Sequence, residues 1–150
     1  ELTVAGDGTN AIEVTEGAVT FDFDGRVVFV PAGAATKVTA KGPSTPLFTD
    51  CSAELRRAVG LFDRATMAGE SGMREKGVYA VVQAVREPRD TLVLWHLLRD
   101  PDPLLREQAA AALLDLAGPP PDDPIVLDPP TWDPAVWLAW LRLGAWRPAK

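Results

Sequence analysis

Between Gly42 and Cys51 the spacing of apolar residues changes from that of a strand to that of a helix. Before this point Ile12 and Val14, then Val19, Phe21 and Phe23, alternate with polar neighbours. After it, Leu55, Ala58, Val59, Phe62 and Ala65 recur at helical steps of three and four. Alternation lays one face of a strand on a core, whereas three-four spacing lays one stripe of a helix there. The chain therefore reads as α+β: a small antiparallel β-meander followed by a short solenoid of antiparallel helix pairs. Residues 1–49 form the β subdomain, 50–118 the helical hairpins, and 119–150 a proline-rich crossing segment with a Trp-rich terminal helix.

The β half is punctuated by turn chemistry. Asp24-Gly25 separates Val19–Phe23 from Arg26–Val30, and both turn residues tolerate the positive φ that a two-residue hairpin needs. Gly17 separates Ala11–Glu16 from the next strand, Pro31-Ala32-Gly33 turns the chain into Ala34–Ala40, and Glu1–Val4 supplies a weaker fifth strand. So few strands bury only one face, and they need a cover. The helices are its expected source. Gly42–Cys51 is accordingly read as a packed joint, with Leu47 and Phe48 buried between the sheet and the first helix.

The run Ile12-Glu13-Val14-Thr15-Glu16-Gly17-Ala18-Val19-Thr20-Phe21, then Val27–Val30, then Ala32-Gly33, resembles the closing strands of FecR-type domains. That resemblance covers about 30 residues and lacks the upstream half of such a domain. It implies a module on the periplasmic side of a bacterial membrane that takes part in transmembrane signalling, often over a sigma factor. With Glu1 as its first residue, the chain is expected to be a fragment of a longer, membrane-anchored protein.

In the helical half, Ser71 is the expected N-cap of a second helix whose stripe is Met73, Val78, Val81, Val82 and Val85. Asp90 is placed to cap a third, almost wholly apolar helix, Leu92–Arg99. Asp102 followed by Pro103 opens a fourth, since a carboxylate accepts the orphan amides and proline has none to lose. Gly118 ends it. The stretch Leu94–Leu114, with its Asp100-Pro101-Asp102-Pro103 turn, Arg106 and the Ala109–Ala112 run, resembles one HEAT-type repeat. That resemblance gives Asp100, Asp102 and Arg106 the structural task of holding the turn. Leu55–Val85 is a degenerate copy in which Arg74 matches Arg106, as suits a terminal repeat beside a different neighbour.

Pro119-Pro120-Pro121, Pro124, Pro129 and Pro130 exclude helix from the next segment, where Ile125, Val126 and Leu127 are expected to touch the core. Asp133-Pro134 then starts a helix to about Gly144. It has almost no polar face, which leaves two readings: the proline-rich strip and Trp132 or Trp146 fold back over it, or Trp137, Trp140 and Trp146 meet a protein partner or a second copy.

No pattern for catalysis, cofactor or metal is expected. His96, the single histidine, lies in the apolar third helix, and Cys51, the single cysteine, reads as a small apolar residue. Asp22-Phe23-Asp24-Gly25 is like the start of a calcium loop, but position 33 is Gly rather than the closing Glu. Gly6-Asp7-Gly8 precedes no helix and is a turn. A net charge of −6 argues against nucleic acid and anionic membrane surfaces, and no apolar run is long enough to span a bilayer. The expected activity is protein interaction, either as the extracytoplasmic part of a FecR-like, anti-sigma-type signalling protein or as a HEAT-repeat scaffold without a signalling role.

Overall fold

A computed structural model describes residues 2–4, 10–118 and 134–146. The order is β1 (Leu2–Val4), β2 (Asn10–Glu13), β3 (Ala18–Phe23), β4 (Arg26–Pro31), β5 (Ala34–Thr39), β6 (Gly42–Pro43), β7 (Leu47–Phe48), α1 (Ala53–Ala68), α2 (Ser71–Ala84), α3 (Thr91–Leu97), α4 (Pro103–Ala117) and α5 (Pro134–Leu143). The fold is α+β, with antiparallel strands first and helices after. Gly6–Gly8, Ile125–Leu127, Trp132 and Asp133 lie outside the described residues.

Asp24 and Gly25 take φ of 52° and 79°, and the Gly25 amide donates to Asp22 Oδ1. The hairpin β3–β4 therefore closes as its Asp-Gly turn dictates. The strand path is then folded on itself: β1 pairs with β2, β2 skips the hairpin to pair with β5, and β5 pairs with β6 and β7. The two ladders join around a bend, where the Val14 amide donates to the Ala34 carbonyl, Gly33 to Val14 and Ala32 to Gly17. From Glu13↔Ala35 to Ala18↔Pro31 the first arm advances one residue more than the second. That extra residue bends the ribbon, as a bulge does. Gly33, at φ 83° beneath the ring of Phe48, sits where a side chain would be both strained and crowded.

One hydrophobic core runs through both halves, from Val14, Val28, Phe29 and Val30 to Leu55, Phe62, Val81, Leu94, Trp95, Leu113, Trp137 and Trp146. Phe29 faces α3 and the C-terminal turn, edge-on to Trp95 at 6.0 Å and stacked on Trp146 at 5.9 Å. The joint is packed, with a different neighbour from the expected one. Phe48 is buried and Leu47 half-buried, and β7 meets α3 and the 3-10 turn Pro88–Asp90. There the Arg89 guanidinium lies 4.0 Å from the centre of the Phe48 ring and pairs with Asp50.

In α1 the expected stripe of Leu55, Ala58, Val59, Phe62 and Ala65 is buried, and Ser52 caps it through the Leu55 amide. Helix α2 departs from expectation in two ways. Its N-cap is Glu70, without a side-chain bond, so Ser71 is the first helical residue. Its buried face is Gly77, Val78, Val81 and Ala84, while Met73 is exposed, because the helix rolls its glycine rather than its methionine onto α1. A Cβ at Gly77 would lie 2.7 Å from Phe62 Cα. Asp90 does not cap α3 through its side chain. Its carboxylate accepts instead from the Arg86 and Glu87 amides and closes the preceding turn.

Candidate functional site

The turn before α4 is built as its residues require. Asp102 accepts from the Leu104 amide at 3.0 Å, and Arg106 Nη1 donates to the carbonyls of Asp100 and Pro101. Asp100 accepts from the Asp102 amide and, at 2.6 Å, from Arg74 Nη2. Arg74 belongs to the preceding helix pair, so this bridge ties one hairpin to the next. With side-chain exposures of 17% and 7% the pair is shielded enough to matter. Asp100, Asp102 and Arg106 are thus brought together. Arg74 corresponds to Arg106 in sequence but acts differently, reaching across to the neighbouring turn.

The three tryptophans are not brought together as a display surface. Trp137 is 1% and Trp146 6% exposed, and Trp140 is half-buried. Trp146 Nε1 donates to Thr91 Oγ1 at 3.0 Å, and its ring stacks on Phe29. These two indoles serve the chain's own core. A two-ended side chain, apolar but with one donor to satisfy, suits a closing contact within a chain as well as it suits a partner.

Two concave surfaces among the described residues are large enough to receive a partner or ligand. The first, of about 460 Å³, lies between α2 and α4, the second helices of the two pairs. Val82, Ala112 and Leu116 contribute apolar lining, Tyr79 stands 64% exposed at its edge, and Gln83, Gln108 and Asp115 supply polar atoms. Sequence periodicity assigns Val82 to the core, whereas here it is half-buried and opens onto this groove.

The second is a cleft of about 730 Å³ where the β3–β4 turn, the end of α1, the start of α2 and the end of α3 converge. Arg26, Arg74, Arg99, Thr66, Ser71 and His96 are among its lining residues. Arg26 donates over long distances, 3.4 Å, to the Pro43 carbonyl and Thr45 Oγ1. Arg99 lies 4.8 Å from the Trp95 ring centre. His96 is buried; its Nε2 must donate to the Phe29 carbonyl at 3.0 Å, because a carbonyl only accepts. Desolvation lowers its pKa to about 3, with Arg26 and Arg99 adding to the effect, so the imidazole is neutral. Behind Arg26, the buried Asp63 accepts from the Thr45 amide and hydroxyl. Burial pushes its carboxyl above the ordinary range against the pull of those bonds. Half-buried Cys51 is shifted up for the same reason, which disfavours the nucleophilic thiolate.

Among the described residues no group of three His, Cys, Asp or Glu could hold a metal ion. No described helix is long and apolar enough to cross a membrane. No family model, curated protein or solved structure matches the chain.

Proposed function

We propose that the chain is a non-catalytic protein-interaction module that acts as the extracytoplasmic part of a bacterial FecR-like transmembrane signalling protein of anti-sigma type. The observation that carries the interaction reading is the α2–α4 groove, an apolar depression with a largely exposed tyrosine at its edge. Exposed aromatic residues beside an apolar recess are where binding energy concentrates. A recess between two helices suits the apolar face of a partner helix. The signalling half of the reading draws on the Ile12–Gly33 resemblance, whose residues run from β2 through β4. A second reading, a HEAT-type scaffold without a signalling role, is favoured by the Arg74–Asp100 bridge, which couples successive hairpins as a solenoid requires.

One test probes the groove and a second separates the two readings. A photo-crosslinking residue at position 79 should trap a defined partner, and Ala111→Glu in the groove should abolish the adduct without unfolding the protein. Persistence of the adduct in that variant would remove the groove from the argument. Any sequence encoded upstream of Glu1 then discriminates: a single transmembrane helix preceded by a short cytoplasmic helical domain selects signalling, and further helical repeats or a cytoplasmic start select the scaffold.

A further inference from the structure

The arginine-lined cleft has a surplus of donors. Neither Arg26 nor Arg99 forms an ion pair among the described residues, although the chain as a whole is acidic. Arg74 uses Nη2 on Asp100, but its Nε is buried without a hydrogen-bond partner among the described residues, as is Thr66 Oγ1. Buried donors of this kind are uncommon and call for an acceptor. The carboxylates at the cleft do not meet the need: Asp100 is engaged by Arg74 and the Asp102 amide, and Asp24 stands exposed in the hairpin turn. His96, held neutral, adds no proton to the wall.

We propose that this cleft binds a small soluble ligand through an oxyanion, a phosphate or carboxylate group, held by Arg26 and Arg99 with Arg74 Nε and Thr66 Oγ1 as further donors. Guanidinium groups match both oxyanions in geometry and charge. The recess is of the size that encloses a small molecule rather than a bare ion. The start of α2 reaches the same wall through Ser71, and its positive end reinforces the preference. This site is separate from the α2–α4 groove, and its occupancy does not depend on the partner proposed there.

The chain carries one histidine, and it lines the cleft, so a single imidazole signal reports on it. NMR titrations of the whole chain would use inorganic phosphate, citrate and, at matched ionic strength, chloride. A saturable shift of the His96 ring resonances is expected with phosphate or citrate and not with chloride. The tighter of the two identifies the group. Arg26→Gln with Arg99→Gln should weaken binding by at least about tenfold, with circular dichroism and Trp fluorescence verifying the fold. Equal shifts with chloride, no saturable shift with either oxyanion, or an unchanged affinity in the folded double variant would each overturn the assignment. Should the double variant unfold, Arg99→Gln alone, at an exposed position, gives the same decision.

Discussion

Replacing Gly77 with Ala tests how closely α1 and α2 approach. In an exposed helix interior the change would be favourable by about 1 kcal/mol, because alanine loses less backbone entropy. Here the added Cβ would lie 2.7 Å from Phe62 Cα, 2.9 Å from its Cβ and 3.0 Å from its backbone nitrogen. Ordinary carbon contacts are about 3.5–4.0 Å, and two of the three obstructing atoms are backbone, which no rotamer change relieves. The helices must move apart by roughly 1 Å, and overpacking of this kind costs about 1–3 kcal/mol. Set against the propensity gain, the net loss is up to about 2 kcal/mol, or up to roughly 8 °C in Tm for a chain of this size. Gly72 in the same helix has open space where its Cβ would go, so Gly72→Ala should leave stability unchanged or raise it by up to about 1 kcal/mol. Urea unfolding followed by far-ultraviolet circular dichroism and Trp fluorescence measures both. A Gly77→Ala protein stabilised over the parent by about 1 kcal/mol, as an unobstructed helix position would be, would refute the close approach.

Asp100→Ala should cost about 3 kcal/mol in urea melts, since it strands the shielded Arg74 guanidinium and frees the Asp102 amide; Arg74→Met in the same background should recover part of the loss. Trp137→Ala should cost about 3–5 kcal/mol, as truncation of a fully buried indole leaves a cavity, and a surface-level effect would mean that α5 does not dock. The imidazole of His96 falls from 6.5 to about 3 on folding, so between those values the unfolded chain binds the extra proton. Its contribution to stability is therefore intact above pH 6.5 and declines by up to about 1.4 kcal/mol per unit as the pH falls through that window. Asp63, raised on folding, acts in the opposite sense: it binds its proton more readily when folded, and its contribution is lost as pH rises through its raised value. Stability measured from pH 7 to 4.5 in the parent and in His96→Gln, which keeps a donor for the Phe29 carbonyl, should differ in slope; parallel lines would refute the assignment.

Much of the architecture was legible because its signals are local. The α1 stripe, the Asp24-Gly25 turn and the Asp102-Pro103 helix start each depend on neighbours within one turn of chain. Even the bend in the ribbon leaves a trace: apolar residues fall on even positions at Ile12 and Val14 and on odd ones at Val19, Phe21 and Phe23, the parity change expected of one inserted residue. What escaped depends on distant partners. Gly77 adds nothing to a hydrophobic pattern, yet it sets the helix separation. Asp63 reads as a solvated helix residue until Thr45 is seen to bond it. The terminal tryptophans read equally well as core or interface, and only the position of Phe29 decides for Trp146. The cleft was the least visible, since Arg26, Thr66, Arg74 and Arg99 come from β4, α1, α2 and the turn after α3, and each alone resembles an ordinary surface side chain.

The nested pairing of β2–β5 has a consequence for how the β half assembles. Phe23 meets Arg26 beside the turn, Ala18 meets Pro31 at the bend and Asn10 meets Val38 at the far end. Each pair encloses the one before it, so once an inner pair has formed, the next closes a gap of only a few free residues. The entropic cost of closure arrives in small steps rather than in one long-range search. A two-sided strand such as β4 would ordinarily wait on distant segments; here it can zip outward from Asp24-Gly25. Docking of the helical half then covers Phe29, against Trp95 and Trp146.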